Sequence, residues 1–584
     1  MAVIQAVFLG CLYLAVLHRG VSGFNYLQYA NLYDGVVHLN EITVSGKVSW
    51  TSGDESWRAW EFLGVRYGTA ERFEPPKFFD DYNSIREGHE QKLHVFNEPG
   101  PACIQSSSPY STFPEVDINK TSEDCLFLNI HLPPVNQEHT LLKTNPWPVL
   151  IFLHGGDYQS GAGHLYNGNE LARDMETVIV TLNYRLGLFG FLSTEDYTAK
   201  GNWGLKDVIM ATKWVQQYIS RFGADSSKLV LAGHGSGAEM VTLVMEDPEI
   251  REILSGVILM SGSPLHPLNT IDSPRTAVVD LSKSAGCPVG DMQIVQHIQS
   301  VWRPTVDGDL VAADWDWSET WRFNGNILQE LPSPPALESR TDVPPIDFNG
   351  TSDLQQIFGS NDSFNSSQEF LQNSQIVNAK DLLSSYVSNF FGCNASQKVL
   401  EMVVRHCYSR KDQEWTSGRQ PHPNGNSVTD ILRTIRLEIE IIAPAVRKAL
   451  NYGKNPDLLG PAHFYQLYQL DCNQFPASTN ETSQRDMNVN GQLAYLFGIP
   501  LADQWLPDFV PVFGVTEQMR HLVGSFVKGR HITGKDHTHP EGGLLLRLGT
   551  SMKWKTQDDK DLLQTLQFWD NLKRDACTSE LSQI

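Results

Sequence analysis

The stretch Val230-Leu231-Ala232-Gly233-His234-Gly235-Ser236-Gly237-Ala238 decides both the fold of this chain and the chemistry open to it. The apolar residues Leu229 to Ala232 predict a buried strand, and Gly237 to Met245 predict a helix, so a sharp turn must join them. In a Gly-x-Ser-x-Gly elbow, such a turn aims a serine hydroxyl at a substrate carbonyl. Both outer glycines are present here, at 233 and 237, but Gly235 stands in the centre. The elbow therefore lacks its nucleophile.

Ser236 is the alternative nucleophile in this stretch. It would need small residues at 234 and 238, and His234 occupies the first of these positions. Because Ser236 lies one residue further round the turn, its side chain should point toward the sheet while its backbone N–H faces the site. Glycine adopts positive φ without steric penalty, so Gly235 relaxes a turn that serine would hold under strain. These features favour a site that has lost its nucleophile over an enzyme that works through Ser236.

The composition limits the class of protein and its partners. A chain of 584 residues with 41% hydrophobic residues can bury a large core. Its 45 basic and 67 acidic residues give a net charge of -22. Because such a surface repels phosphate groups, nucleic acid and anionic membranes are not expected as partners.

The first residues indicate export from the cell. Ala2 to Leu17 are largely apolar and are followed by the small residues Val21-Ser22-Gly23, so residues 1–23 are expected to be a secretory signal peptide. The mature chain should begin near Phe24. The last residues, 574–584, carry no apolar tail, and neither a transmembrane helix nor a lipid anchor is expected there. The sequence thus predicts a secreted protein without a membrane anchor.

Cysteines and glycosylation sequons agree with an extracellular location. Removal of the signal peptide with Cys11 leaves seven cysteines, and none of them lies in a C-x-x-C pair or at zinc spacing. We therefore expect disulfides and no metal or other cofactor. Because the number is odd, at least one thiol must be free or form an intermolecular bond. These cysteines are Cys103, Cys125, Cys287, Cys393, Cys407, Cys472 and Cys577. Asn-x-Ser/Thr sequons predict N-glycosylation. They lie at Asn119, Asn349, Asn361, Asn365, Asn394 and Asn480.

Buried strands alternate with helices through the first half of the chain. Continuous apolar runs at Pro148 to Leu153, Val178 to Leu182 and Gly256 to Met260 predict strands covered on both faces. Asp207 to Phe222 has apolar residues at helical spacing. This alternation predicts an α/β fold with a large, mostly parallel central sheet flanked by helices. Residues 333–375 are rich in Pro, Ser and Asn and carry sequons, which predicts an exposed glycosylated insertion within a single domain spanning residues 24–584.

Several stretches of the chain together resemble the type-B carboxylesterase and cholinesterase family. They are Phe62–Phe73, Ser122–Asn129, His154–Gly156, Asn183–Leu192, Gly201–Gly223 and Val306–Asp309. The resemblance covers nearly the whole mature chain and implies an α/β-hydrolase fold. It also implies a disulfide between Cys103 and Cys125.

The resemblance assigns positions to a catalytic triad. Active members of the family use a serine, a carboxylate and a histidine in that order along the chain, and the serine position is Gly235. The histidine position, counted back from Phe497-Gly498-Ile499-Pro500, falls on Val489, whose side chain cannot accept a proton. The carboxylate position falls on Ser352, with Asp353 beside it. The resemblance therefore implies that all three catalytic positions are degenerate.

A remnant of the family's backbone oxyanion hole is expected at Gly155, Gly156 and the N–H of Ser236. Active relatives tend to have a third glycine where this chain has Asp157. If the Asp157 carboxylate points inward, it opposes a developing oxyanion by about 4 kcal/mol at a distance of about 4 Å and an effective dielectric constant of about 20. If it points outward, only the flexibility of the glycine is lost.

The remaining cysteines allow several arrangements. A family cystine between a mid-chain helix and the last helix falls on Ala443 and Leu566, where a buried apolar contact could replace the bond. Cys287 keeps a family cysteine whose partner position, near Ile298, is not a cysteine, so Cys287 is the candidate free thiol. Pairing of Cys393 with Cys407 and of Cys472 with Cys577 stays open.

Three hypotheses for function follow. The first is a secreted, catalytically inactive glycoprotein that binds an extracellular protein partner, similar to cholinesterase-like adhesion proteins such as neuroligins and glutactin, and able to form a dimer. The second is a carrier that holds a small hydrophobic ligand in the former active-site pocket. The third is a carboxylic-ester hydrolase that uses a non-standard nucleophile such as Ser236. Loss of a nucleophile or base from a triad lowers the rate on the order of a million-fold, which favours the first two hypotheses.

Overall fold

A computed structural model of the chain describes the central sheet and the helices nearest to it. The described residues are 32–39, 42–53, 55–80, 94–105, 116–136, 146–195, 199–262, 304–305, 326–330, 462–467, 513–529, 545–548, 553–555 and 567–572, with 274–275, 278–279, 399, 402–403, 406, 438, 493 and 495–497. The expected signal peptide, the insertion at 333–375, the triad positions Ser352 and Val489, and every expected sequon except Asn119 lie outside these residues. So do Cys287, Cys393, Cys407, Cys472 and Cys577. Within the described ranges, no helix is both long enough and apolar enough to cross a membrane.

A 13-stranded sheet forms the centre of the described structure. Its strands in chain order are β1 (Val36–Leu39), β2 (Ile42–Thr51), β3 (Arg58–Arg66), β4 (His94–Phe96), β5 (Phe127–His131), β6 (Trp147–Leu153), β7 (Val178–Leu182), β8 (Ala224–His234), β9 (Leu254–Met260), β10 (Asn326–Glu330), β11 (Ala462–Leu467), β12 (Leu545–Leu548) and β13 (Lys553–Lys555). The helices around it include α1 (Asn169–Met175), α2 (Gly187–Phe191), α3 (Trp203–Tyr218), α4 (Ser236–Val244), α5 (Pro248–Ile253), α6 (Phe513–Val527) and α7 (567–572).

The centre of the sheet is parallel and its two ends are antiparallel. The strands lie in the order β1-β2-β3-β5-β7-β6-β8-β9-β10-β11-β12-β13, with β4 beside β2. From β7 to β12 in this order, every neighbouring pair is parallel. The pairs from β1 to β7 are antiparallel, and so is the pair β12 and β13. Parallel neighbours need long crossover connections. Helices α1 to α6 lie in these connections, and α7 follows the last strand.

Apolar cores cover both faces of the sheet. All residues of β6 and β7 are buried. In β6, Val149, Ile151 and Leu153 point into one core, which contains residues of α3 and α4, whereas Leu150 and Phe152 point into the other, which contains residues of α1 and α6. A strand covered on both faces has no solvent-facing side, and its sequence is therefore continuously apolar.

The predicted α/β fold is confirmed, as a mixed sheet flanked by helices. One helix differs from the prediction in its position: α3 begins at Trp203 rather than at Asp207, and a 3-10 turn, Ile219–Phe222, follows it. The helix starts early because Asn202, with φ 57°, ends the preceding loop, and its side chain donates a hydrogen bond to the carbonyl oxygen of Thr305 (2.9 Å). Asn202 and Thr305 are 103 positions apart, so the apolar periodicity around residue 202 could not indicate this contact.

Candidate functional site

The carboxyl ends of three neighbouring parallel strands meet at one edge of the sheet. β6 leads into the glycine loop, which we define as residues 154–161, β7 leads into Asn183 and Tyr184, and β8 leads into Gly235. In parallel α/β sheets this edge is where ligands bind, because loops from several strands converge there. The structure thus brings the glycine loop and the elbow together.

Gly235 forms the elbow between β8 and α4. Its backbone has φ 54° and ψ -125°, a conformation that residues with a Cβ atom rarely adopt. Its N–H donates to the carbonyl oxygen of Met260 (2.9 Å), and its own carbonyl oxygen accepts from the N–H of Ala238 (2.9 Å). These hydrogen bonds tie the turn to β9 on one side and to α4 on the other.

The elbow glycines differ in what a side chain would meet at each position. A Cβ atom on Gly233 would lie 2.3 Å from the carbonyl carbon of Gly237, and one on Gly237 would lie 2.5 Å from the carbonyl oxygen of Leu153. At Gly235, a Cβ atom would have no heavy atom of the described residues within 4 Å, apart from those of its chain neighbours. Close packing therefore requires the outer glycines, whereas an open space lies where the side chain of a nucleophile would stand.

The Ser236 hydroxyl faces the interior of the protein. The residue is 6% exposed, and its Oγ accepts a hydrogen bond from the N–H of Tyr158 (3.3 Å). The hydroxyl of Tyr184 donates to the carbonyl oxygen of His154 (2.7 Å), and burial raises the pKa of Tyr184, so this residue is a neutral phenol. The backbone N–H of Tyr158 is not a base, and this contact holds Ser236 in place without activating it.

Gly155 and Gly156 are buried beside the elbow, and Asp157 is exposed. Gly156 has φ 121°, and a Cβ atom there would lie 2.1 Å from the carbonyl oxygen of Ser160, so only glycine fits. Asp157 has φ 54°. Because its carboxylate lies in water, the second of the two alternatives for this residue holds, and the penalty of about 4 kcal/mol on an oxyanion does not apply.

His154, the first residue of the glycine loop, is buried and neutral. Its Nδ1 donates to the carbonyl oxygen of Gly155 (2.8 Å), which fixes the proton on that nitrogen. Its ring stacks on Tyr184 with the centroids 4.3 Å apart. Burial lowers the pKa of His154 from 6.5 to about 4. His234, at the end of β8, is also buried.

Tyr158 and Glu239 form a contact that no sequence pattern indicated. The Tyr158 hydroxyl donates to Glu239 Oε2 (2.5 Å), and the Tyr158 ring packs edge-on against Phe191 with the centroids 5.1 Å apart. The two bonded residues are 81 positions apart in the sequence. Neither belongs to a motif, so the sequence carries no signal that could have found the pair.

Two further contacts support the loops around the site. Cys103 and Cys125 form a disulfide with their Cα atoms 5.0 Å apart, and the segment between them contains Asn119, which is exposed. The Asp207 carboxylate accepts hydrogen bonds from Arg185 Nε (2.8 Å) and Nη2 (2.7 Å). Both charged side chains are buried, so the pair fixes the segment that follows β7.

The structure brings some of the predicted site residues together and leaves others undescribed. Leu153 pairs with Gly233, so Gly155 and Gly156 follow β6 at the same edge of the sheet where Gly235 and Ser236 follow β8. Their role in an oxyanion hole stays a prediction. The positions expected for the histidine and the carboxylate of a triad lie outside the described residues, and their roles stay predictions. Across the described part of the chain, no group of three His, Cys, Asp or Glu side chains could hold a metal ion.

Known proteins share sequence with this chain over most of its length. A model of the Carboxylesterase family matches residues 34–567. Neuroligin-2 of Mus musculus is 26% identical over 477 residues, which cover 76% of this chain and 53% of that protein. Neuroligin-1 of Caenorhabditis elegans is 32% identical over 265 residues, which cover 42% of this chain and 32% of that protein. Juvenile hormone esterase of Tribolium castaneum is 33% identical over 261 residues, which cover 43% of this chain and 41% of that protein.

These matches identify the family of this chain but do not identify its activity. The chain spans about half the length of the neuroligins it matches first. The matched proteins include both neuroligins and proteins named as an esterase or a hydrolase. The family match extends over nearly the whole chain and agrees with a strand-turn-helix elbow at the carboxyl edge of a large sheet. This chain belongs to the carboxylesterase family.

Proposed function

We propose that this protein is a secreted, catalytically inactive member of the carboxylesterase family whose function is to bind an extracellular protein partner. The observation that carries the proposal is Gly235. The turn between β8 and α4 is present, and no described residue would contact a side chain at position 235, but glycine has no side chain. Without a nucleophile, no covalent intermediate can form at this position, whatever binds in front of it.

Ser236 is poorly placed to substitute for the missing side chain. To attack a carbonyl in front of the elbow, its hydroxyl would have to leave its hydrogen bond with the N–H of Tyr158 and find a general base. The position expected for that base is Val489. Loss of the nucleophile or of the base lowers turnover on the order of a million-fold, so the scaffold is better suited to binding than to catalysis.

The relatives favour a protein partner over a small substrate. The matched proteins include Neuroligin-2 of Mus musculus and Neuroligin-1 of Caenorhabditis elegans, and the sequence resembles the cholinesterase-like adhesion proteins. The net charge of -22 argues against nucleic acid as a partner. We therefore expect an extracellular protein, bound by the monomer or by a dimer of this chain.

Secretion is supported by three features of the chain. Residues 2–17 are largely apolar, the disulfide between Cys103 and Cys125 is of a kind that persists in oxidising compartments, and Asn119 is exposed within a sequon. Expression of the full chain in cultured animal cells should release a protein that begins near Phe24. A glycosidase should reduce its mass, and Asn119→Gln should reduce the number of glycans by one. Retention of an unglycosylated chain inside the cells would contradict secretion.

The absence of catalysis is tested with a fluorescent organophosphate, which labels nucleophilic serines. We expect neither labelling of the wild-type protein nor turnover of a p-nitrophenyl ester. The matched control is Ser236→Ala, which should behave like the wild type. Rapid labelling of the wild-type protein that disappears in a folded Ser236→Ala variant would identify Ser236 as a nucleophile and overturn the proposal.

Binding is tested by a pull-down from extracellular extract, followed by affinity measurements with the purified partner. Saturable binding that is equal in the wild-type protein, Ser236→Ala and Gly235→Ser supports a binding function that does not use the elbow chemically. Native mass spectrometry of the purified protein tests the carrier alternative, for which the open space at Gly235 is favourable. A hydrophobic ligand bound in a one-to-one ratio, with no protein partner captured, would favour the carrier.

A further inference from the structure

Tyr158 fastens the glycine loop to helix α4 at two points. Its backbone N–H donates to Ser236 Oγ (3.3 Å), and its hydroxyl donates to Glu239 Oε2 (2.5 Å). Ser236 and Glu239 are three residues apart on α4 and therefore lie on the same face of the helix. Both the backbone and the side chain of Tyr158 are thus bonded to one face of α4.

Residues of helix α2 also contact Tyr158, through a hydrogen bond and a ring contact. The Tyr158 carbonyl oxygen accepts from the N–H of Gly187 (2.7 Å), and its ring packs against Phe191. Tyr158 is 1% exposed. A buried phenol needs a hydrogen-bond acceptor, and a carboxylate such as that of Glu239 makes a stronger bond than a neutral acceptor does.

The backbone of the glycine loop explains why it needs to be held. Asp157 and Tyr158 have φ values of 54° and 63°, so two consecutive residues with Cβ atoms adopt the left-handed region. Such residues avoid this region and stay in it only where the surrounding structure holds them. Released from α4, this part of the loop would relax and move the N–H groups of Gly155 and Gly156 with it.

We propose that Tyr158 is a latch that holds the glycine loop against helix α4 in the free protein, with Glu239 as its anchor. The loop then keeps one position beside the open space at Gly235 without a ligand to organise it. The latch does not depend on the proposed binding function, because it acts in the protein without any partner.

Hydrogen–deuterium exchange of peptides covering residues 154–161 tests the latch. Tyr158→Phe removes the hydroxyl and keeps the ring, so we expect amide exchange in the loop to become about tenfold faster. Glu239→Ala should have the same effect, and Glu239→Gln a smaller one, because the glutamine oxygen accepts a hydrogen bond but carries no charge. The double variant Tyr158→Phe/Glu239→Ala should exchange no faster than either single variant, since both changes break the same bond.

Tyr67→Phe is the matched control. It removes another buried tyrosine hydroxyl, one that donates to the carbonyl oxygen of Asn183 (2.7 Å), and it should leave exchange in the loop unchanged. Exchange in β6 and β8 reports whether each variant is folded. The latch is wrong if the loop exchanges at the wild-type rate in Tyr158→Phe and in Glu239→Gln while β6 and β8 stay protected. It is also wrong if exchange accelerates equally in the loop and in these strands.

Discussion

Replacing Gly235 with alanine tests whether the elbow is strained for a residue with a side chain. A backbone at φ 54° and ψ -125° costs a residue with a Cβ atom on the order of 1–3 kcal/mol. Among the described residues, the added methyl group meets no atom within 4 Å outside its chain neighbours, so we count no steric clash with them toward this cost. Alanine also reduces the entropy of the unfolded chain, which recovers about 0.4–1 kcal/mol. We therefore expect Gly235→Ala to lower the free energy of unfolding by about 1–2 kcal/mol.

Gly514→Ala is the matched control for this substitution. Gly514 is the second residue of α6 and is exposed, and a Cβ atom there would likewise have no atom within 4 Å from the part of the chain that the structure describes, outside the helix's own backbone. Its φ lies outside the left-handed region. Because glycine is unfavourable in a helix, Gly514→Ala should raise the free energy of unfolding by about 0.5–1 kcal/mol.

Urea denaturation followed by tryptophan fluorescence measures both effects, since a shift of the midpoint at constant slope reports a change in stability. Gly235→Ser should lose as much stability as Gly235→Ala and should show no ester turnover. If Gly235→Ala is as stable as the wild-type protein, while Gly514→Ala is more stable as expected, the elbow is not strained and the argument from its φ fails.

Three further predictions concern the contacts around the site. Cys103→Ala/Cys125→Ala opens a loop with a sequence separation of 22 residues and should lower the free energy of unfolding by about 3 kcal/mol, seen as a lower thermal midpoint. Asp207→Asn leaves the buried Arg185 charge without its counter-ion and should cost about 3–5 kcal/mol in denaturant titrations, part of which Arg185→Met in the same chain should restore. Burial lowers the pKa of His154 from 6.5 to about 4, so between these pH values the unfolded chain binds a proton that the folded chain does not. The contribution of the neutral His154 to the free energy of unfolding is therefore complete above pH 6.5 and falls by about 3 kcal/mol as the pH drops to 4. The variant His154→Gln should lack this part of the pH dependence of the thermal midpoint.

Each of these predictions has an outcome that contradicts it. An unchanged thermal midpoint in the double alanine variant would mean that the disulfide does not constrain the unfolded chain. Asp207→Asn with wild-type stability would show that solvent reaches Arg185. A His154→Gln variant whose midpoint depends on pH as steeply as that of the wild-type protein would assign the acid sensitivity to other groups.

The centre of the fold could be predicted from sequence because its strands are covered on both faces. β6 is continuously apolar, β7 is apolar apart from the buried Thr181, and the elbow glycines begin at Gly233, directly after the apolar run Leu229 to Ala232 of β8. The strand order could not be predicted in the same way. β7 lies between β5 and β6 in the sheet, and an apolar pattern shows which residues are buried without showing which strands pair.

The site could be predicted only in part. The resemblance to the carboxylesterase family placed Gly155 and Gly156 beside Gly235, and in the structure all three lie at the edge where the carboxyl ends of parallel strands meet. It left the direction of Asp157 open, since that direction follows from a left-handed backbone at the residue itself. The hydrogen bond between Tyr158 and Glu239 was missed because only the folded chain brings its two ends together.

The elbow separates two reasons for a glycine to stand in a turn. At Gly233 and Gly237 a Cβ atom would collide with backbone atoms 2.3 Å and 2.5 Å away, so packing alone excludes every other residue. At Gly235 no described residue is close enough for packing to exclude a side chain, and the φ of 54° is the feature that opposes one. A serine there is tolerated where its hydroxyl reacts with a substrate, as in a strained active site. If the protein is catalytically inactive, as we propose, with Ser236 turned inward and Val489 at the position expected for the base, that reaction has no proton acceptor. Glycine is then the residue that stability alone favours.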